Sequence, residues 1–475
     1  MIVRNTTGNT LYIEDLDRHY PYLGGEDEEL SPSDLKRSPG LRSMVSNGLF
    51  EVVSYDKSIQ IEKVVAIMAA HGDKIRQPKA KTEPSPKTKV KTVNDKTVNG
   101  EPEVNVSGIF YEAGGYGKVN RYLASNLAAE GLKVKVSPKK GHVHLTASEL
   151  ATVARLERTE LSRKHITIDS VIPTFSEFSG GRYKIIYTTV EAYTVPKQFI
   201  DACRQYDEVW VTSPFAKSVI QPSLDRDVKI VPTGIDPEIY NEDVRPVQFK
   251  PPLKDFVFVS VFGWSYRKGY DVLLRSYFRE FSSRDPVSLL LYTRYMQGTA
   301  DFHKQKIEKD IAAIAKSVGK SDIPHYRVVS KVLDENQMAQ LYRSCHAFVL
   351  PTRGESTCLP LAEASLCGLP VIMTNASGQT LFLQKDNSFL LDVDSFEVVQ
   401  PGQLHVHYWD GQKFPSLKSK RCIEQLSSLM RSVYEDYDAA KEKNRRLQEL
   451  LLGSFTWKQA GQTAATRLRE IWTKL

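Results

Sequence analysis

Residues 346–375, HAFVLPTRGESTCLPLAEASLCGLPVIMTN, constrain the fold of this chain more than any other stretch. Ala347 to Leu350 form an apolar run of the length of a buried strand. Pro351 stops that run, and a short polar loop follows from Thr352 to Cys358. Pro360 sits where a first helical turn favours proline. Gly368 and Pro370 end that helix after about two turns. Val371 to Thr374 begin another strand. Strand, loop, helix and strand in this order make one winding of a parallel α/β sheet.

Glu355 and Glu363 mark this segment, with seven residues between them. Glu355 falls in the loop, and Glu363 about one turn inside the helix. Between them the backbone N–H groups of Thr357, Cys358 and Leu359 open the helix without intrahelical partners. Such a helix start carries partial positive charge and binds phosphate. A carboxylate on each side would hold hydroxyls at the two ends of a nucleotide sugar. A surface glutamate followed by a helix glutamate accounts for the spacing alone equally well.

The segment resembles the signature of retaining glycosyltransferases of the GT-B fold, in the large "glycosyl transferases group 1" family. Pro351, Leu359, Pro360, Gly368 and Pro370 fit the same pattern, and the resemblance extends over most of residues 104–475. It implies an α/β chain with two Rossmann-like domains facing a cleft. It also implies that Glu355 contacts the donor sugar and Glu363 the ribose, with Ser356, Thr357, Cys358 and Leu359 forming the donor-binding turn. Ser356 and Cys358 depart from the pattern, because the family usually has glycine there. Side chains at these positions would narrow the phosphate cradle or alter which sugar fits.

The rest of the chain alternates in the manner of doubly wound sheets. From Val104, VNVSGIFY reads as a strand, EAGGYG as a glycine-rich loop and KVNRYLASNLAAEG as an amphipathic helix. A glycine-rich loop at a helix start lets backbone approach a ligand closely, and a tight turn explains the same glycines as well. The resemblance turns Gly115 and Gly117 towards the donor phosphates and the acceptor. Thr146 and Glu149 spell a capping box for a helix to about residue 164. Further on, YKIIYTTVE ends in Glu191, which by the resemblance lies on the cleft side and positions the acceptor or assists at the reacting centre. A salt-bridged loop glutamate is the alternative.

The second Rossmann-like domain is expected at 246–455. Its first strand, DFVFVSVFG, ends at Gly263, and WSYRKG precedes the first helix. The family places a basic pair here against the donor diphosphate. Arg267 and Lys268 fit that role, for cations beside a departing diphosphate stabilise the charge that develops on it. The position where the family often carries arginine is Trp264, and Arg267 is expected to substitute. The strand VSLLLYTR brings Thr293 near the donor, and backbone at 331–333 is the expected nucleobase contact. Helical stretches at about 418–452 and 456–474 close the chain. The last one completes the N-terminal Rossmann-like (acceptor) domain, 104–245.

Upstream, residues 1–72 read as a small α+β module. Its first two runs, MIVRN and TLYIEDL, alternate like strands around TTGN, and helices are expected between residues 31 and 72. Residues 73–103 read as a flexible tether. Its segment 74–98 holds eight basic residues against two acidic ones, so it carries +6 of the chain's net +7. A whole-chain argument for nucleic-acid binding therefore fails. Residues 1–103 remain the place for a nucleic-acid or protein partner.

The composition is ordinary for globular domains, with 41% hydrophobic and 25% charged residues. Its five cysteines show no metal-ligand spacing, which suggests reduced thiols in a cytoplasmic protein. No apolar run is long enough for a membrane span, and the first ten residues lack a signal-peptide core. The resemblance implies a metal-independent, retaining hexosyltransferase. It needs no cofactor beyond its donor, a UDP or GDP sugar. The acceptor is a glycan, protein or small molecule. The alternatives are a phage-type DNA-base glycosyltransferase, and a degenerate transferase that binds without catalysing.

Overall fold

The computed structural model describes residues 2–5, 11–13, 18–20, 27–29, 50–54, 100–139, 145–177, 180–294, 300–404 and 407–475. The chain divides into two compact units. One collects Met1–Ser170, Glu177–Lys184 and Ala464–Leu475, and the other Val171–Ser176 and Ile185–Thr463. Among the described residues no helix is long and apolar enough to cross a membrane.

The N-terminal module contributes β1 (Ile2–Asn5), β2 (Leu11–Ile13), β3 (Arg18–Tyr20), β4 (Asp27–Glu29) and β5 (Phe50–Ser54). The first two strands do not pair with each other as the sequence suggested. Strand β1 lies antiparallel between β4 and β5, and β2 pairs with β3. In that register Val3 stands opposite Val52 and Arg4 opposite Glu51. The helices expected between residues 31 and 72, and the tether at 73–99, lie outside the described residues.

A six-stranded sheet follows, built from β6 (Glu103–Gly108), β7 (Lys133–Pro138), β8 (Ile166–Ser170), β9 (Tyr183–Thr188), β10 (Glu208–Val211) and β11 (Lys229–Ile230) in the order β11-β10-β9-β8-β6-β7. Helix α1 (Gly115–Ala129) buries Val119, Leu123 and Leu127. Helix α2 (Ala147–Glu157) starts at the expected capping box, with Thr146 and Glu149 exchanging hydrogen bonds. It ends at Glu157, short of the expected residue 164. One reason lies in Glu103, whose carboxylate accepts the Ser162 N–H, a donor that a longer helix would need internally. Helices α3 (Lys197–Cys203) and α4 (Pro214–Ile220) follow β9 and β10.

The second sheet lies wholly in the second unit. It comprises β12 (Phe256–Gly263), β13 (Val287–Arg294), β14 (His325–Val329), β15 (Ala347–Leu350), β16 (Val371–Thr374) and β17 (Phe389–Leu391), all parallel. Its order, β14-β13-β12-β15-β16-β17, is the doubly wound order in which the winding reverses between the first and fourth strands. Strands β12, β15 and β16 are buried along nearly their whole length. That is why they read as continuous apolar runs rather than as alternating ones. Helices α5 (Tyr270–Glu280), α6 (Ala300–Val318), α7 (Glu335–Arg343) and α8 (Leu359–Leu366) connect them.

Beyond β17 the structure adds a hairpin that the sequence reading did not foresee, β18 (Ser395–Val398) with β19 (Lys413–Ser416). The helical stretch at 418–452 is two helices, α9 (Lys420–Glu435) and α10 (Tyr437–Ser454). Asp436 separates them. It leaves helical geometry at φ −126° and ψ 68°, and its carboxylate accepts the Ala439 N–H as an N-cap. Helix α11 (Trp457–Trp472) ends in the first unit, where Arg469 donates to the Glu101 carboxylate at 2.9 Å and to the Glu130 carbonyl at 2.7 Å.

Glu103 opens β6, and Glu101 holds Arg469. Deletion of residues 1–99 is therefore expected to leave a soluble protein with cooperative unfolding by circular dichroism. Deletion of 1–103 should unfold at lower denaturant, because it removes both glutamates. An insoluble 100–475 protein would overturn this modular division.

Candidate active site

Ligands of doubly wound sheets gather beyond the carboxyl ends of the strands, where the winding reverses. In the second sheet that point lies between β12 and β15. Strand β12 runs out at Gly263, paired across from Arg294, and Thr293 stands across from Phe262. The Thr293 hydroxyl is buried without a hydrogen-bond partner. Trp264, at the position where arginine was considered, is a core residue. It is fully buried, stacks on Tyr270 at 4.4 Å and donates its indole N–H to Asp310 at 3.0 Å.

A single helical turn, Tyr266–Lys268, follows and ends at Gly269 in the left-handed region, φ +71°. A Cβ there would lie 1.8 Å from the Pro351 carbonyl oxygen. Only glycine tolerates both the dihedral and the approach, so the turn after β12 rests directly on the loop after β15. The loop is held in return by its backbone: the Arg353 N–H donates to the Arg267 carbonyl at 2.7 Å.

This contact assembles a cluster of charges. Lys268 Nζ donates to Glu355 Oε1 at 2.6 Å, and the Thr352 hydroxyl donates to the same oxygen at 3.0 Å. Arg267 lies 3.6 Å from Glu355 Oε1 and donates to the Gly354 carbonyl. Burial opposes ionisation of Glu355, but Lys268 and Arg267 outweigh it and hold the carboxyl below its usual range. Arg267 is half-buried, and its desolvation is outweighed by Glu355 and Glu191, which keep its guanidinium charged.

Glu191, from the segment after β9, faces the same cluster. Its backbone carbonyl would lie 2.2 Å from a Cβ on Gly354, and its Oε2 is buried without a hydrogen-bond partner. Burial pushes the Glu191 carboxyl up; Arg267 and Lys268 oppose the rise, and Glu355 reinforces it. Two carboxylates around one pair of cations thus have opposite tendencies, Glu355 ionised and Glu191 proton-holding. Divergent carboxyls of this kind are a frequent mark of a reacting centre.

The turn from Glu355 to Leu359 then enters α8. Cys358 is its N-cap in the left-handed region at φ +66°, the geometry for which glycine is the usual choice. Its thiol is buried, and that burial pushes its pKa up, so it stands as a neutral thiol. The hydroxyls of Ser356 and Thr357 are engaged: Ser356 meets Thr212, and Thr357 accepts from Thr233 at 3.0 Å. The side chains that depart from the family pattern are therefore buried among partners. Ser377 secures the turn from behind, its hydroxyl accepting the Glu355 N–H at 3.0 Å. Inside the helix, Glu363 is buried and accepts the Tyr342 hydroxyl at 3.0 Å.

Arg353, two residues before Glu355, escaped the sequence reading. It is fully buried and forms a fork on Asp271 at 2.8 and 2.9 Å. A buried arginine in a polar loop shows itself in sequence only as one more charge. Glu397 and Phe414 were missed because the β18–β19 hairpin that carries them was not foreseen. Gly115 and Gly117 belong to the first unit. A Cβ on Gly117 would meet the Glu112 carbonyl oxygen at 2.1 Å, whereas Gly115 faces open space. Packing of the loop on its own helix accounts for Gly117.

Residues 254–399 match the sequence model of the family described as Glycosyl transferases group 1. No curated protein matches the sequence. The fold is shared with sucrose-phosphate synthase from Thermosynechococcus elongatus, at TM-score 0.57 and 14% identity over 79% of this chain and 100% of that one. It is shared equally with HepE from Anabaena, solved in complex with UDP and glucose, at TM-score 0.55 and 13% identity over 78% and 100%. A glycosyltransferase from Rickettsia africae aligns at TM-score 0.53 and 12% identity over 79% and 99%. The fold is thus that of the GT-B class, two six-stranded α/β sheets. The match to the group 1 family model falls on the second sheet.

Two measurements check this geometry. Gly269→Ala should carry strain on the order of 1–3 kcal/mol from the dihedral alone, so its denaturant midpoint should fall clearly. Glu191→Gln reports on the proton-holding carboxyl. A carboxyl raised in the native state costs stability as pH climbs from its unfolded value, about 4.3, through its native one. Glu191→Gln should therefore match the wild type in acid and become progressively more stable than it as pH rises across that window. A constant difference at all pH values would show that Glu191 is an ordinary surface carboxylate.

Proposed function

We propose that this protein is a retaining hexosyltransferase that moves a sugar from a nucleoside-diphosphate donor to an acceptor hydroxyl. The observation that carries the reading is the Arg267–Lys268–Glu355 cluster at the reversal point of the second sheet, beside the start of α8. Two cations at a helix start form a seat for a diphosphate. The carboxylate next to them, with Lys268 and Thr352 gathered on one oxygen, is a holder for sugar hydroxyls.

In the reaction the bond from the anomeric carbon to the diphosphate oxygen breaks, and a bond to the acceptor oxygen forms on the same face. The acceptor proton passes to the leaving phosphate oxygen. Charge on the diphosphate grows as it departs, so Arg267 and Lys268 act chiefly in the transition state. These cations take the place that a divalent metal would otherwise fill. Glu363 holds the ribose, and backbone at 331–333 the base. Gly263, Thr293 and the turn from Ser356 to Leu359 line the donor. Glu191 positions the acceptor. The uracil nucleotide in the HepE complex favours UDP over GDP as the carrier. Five free, buried thiols support a reducing, cytoplasmic setting.

A thermal-shift panel of UDP, GDP, ADP and TDP sugars tests the reading, since a ligand that binds the native state raises its stability. One carrier should stand out, and no shift with any of them would overturn the proposal. Glu363→Ala should weaken bare nucleotide and intact donor alike. Glu355→Ala should spare the bare nucleotide and cut transfer sharply. A charge-assisted hydrogen bond to a hydroxyl is worth roughly 1.5–3 kcal/mol, so calorimetry resolves either loss. Equal weakening of the bare nucleotide by both variants would reverse the donor's orientation.

A further inference from the structure

Arg353 ties the turn that carries Arg267 and Lys268 to its surroundings. Its Nη1 and Nη2 form the fork on Asp271, in the first turn of α5. Nη1 also donates to the Tyr266 carbonyl at 2.7 Å, and the guanidinium plane lies 3.6 Å from the centre of the Tyr266 ring. Its main-chain N–H holds the Arg267 carbonyl. The turn Tyr266–Lys268 is thus gripped at its backbone, at its aromatic ring and at the helix that follows it.

The grip extends to the β18–β19 hairpin. Glu397 accepts the Tyr266 hydroxyl at 2.5 Å and Lys418 Nζ at 2.5 Å, and its Oε1 lies 3.5 Å from Arg353 Nε. In the ladder Glu397 stands opposite Phe414, whose ring would lie 3.0 Å from a Cβ on Gly354. One face of the hairpin therefore rests on both ends of the cluster, the Tyr266 turn and the Gly354–Glu355 loop.

A fully buried guanidinium is costly unless it is well paired; here Nη1 and Nη2 are hydrogen-bonded, and Nε, without a hydrogen bond, faces the Glu397 carboxylate. Ordinary packing would fill this space with an apolar side chain. Lysine cannot replace arginine here, because only a planar fork can engage both Asp271 oxygens while stacking on the ring.

We propose that Arg353 is the positioning residue of the phosphate seat: with Asp271, Tyr266 and Glu397 it fixes where Arg267 and Lys268 present their charges. It reaches the ligand only through them. This inference rests on the reading of Arg267 and Lys268 as diphosphate-binding, and inorganic pyrophosphate probes it without any sugar, base or acceptor.

The test is pyrophosphate calorimetry on the full chain and on Arg353→Lys and Asp271→Asn, with affinity expressed per folded molecule and melting temperature recorded alongside. Arg353→Lys should lose tenfold or more in affinity and Asp271→Asn severalfold, while each remains folded at the assay temperature. Arg267→Ala sets the scale, because it removes the charge itself. Glu397→Gln keeps the shape of the hairpin latch and should fall between Asp271→Asn and the wild type. A purely structural role would lower melting temperature while leaving the affinity of the folded fraction intact, and that result overturns the proposal. So does a native protein that binds no pyrophosphate. Failure of the transferase reading looks different: pyrophosphate is bound and Arg353→Lys weakens it, but no nucleotide sugar shifts the melting curve.

Discussion

The contact between Gly269 and the Pro351 carbonyl sets the rest of the site. It brings the turn after β12 onto the loop after β15, two segments separated by some eighty residues and joined only through the sheet. No side chain fits between them, so the approach is fixed by backbone rather than by adjustable packing. Lys268 reaches Glu355, and Arg267 reaches the Gly354 carbonyl, because the two main chains already touch. The cluster is thus pre-organised, and its geometry costs nothing at the moment a charged ligand arrives.

The electrostatics follow from that placement. Four ionisable groups share a largely buried region, where an unpaired charge is costly and a paired one strongly held. Glu355 lies against both cations and stays ionised. At Glu191 burial outweighs the two cations, one oxygen finds no hydrogen bond, and the carboxyl retains its proton more readily. The same residue type thus takes two characters from its surroundings. An acyl or glycosyl centre that must bind one partner and handle a proton near another is built from such differences.

Arg353 and the hairpin show how a site is supported from outside. The guanidinium and Glu397 hold the turn that bears the cations. Supporting side chains of this kind are hard to read in advance. Their residue types are common in loops, and their roles arise only when three segments distant in sequence meet.

Much of the fold was nevertheless legible. Strands β12, β13, β15 and β16 announce themselves as apolar runs because both of their faces are buried. The capping box at Thr146, proline at the start of α8 and glycine after it mark helix ends through local backbone chemistry. Signals that depend on neighbours within a few residues can be read from sequence, and the Glu355–Glu363 spacing is one of them. The pairing of β1 with β4 and β5, the break at Asp436, the hairpin and the buried fork of Arg353 are different. Each depends on a partner far along the chain, so tertiary structure alone decided them. The sequence determined which residues stand beside the reversal point of the second sheet; only the folded chain determined that Lys268 meets Glu355, that Glu191 faces both, and that Arg353 anchors the turn. Local energies specify elements, whereas the distances between charges are set by how those elements pack.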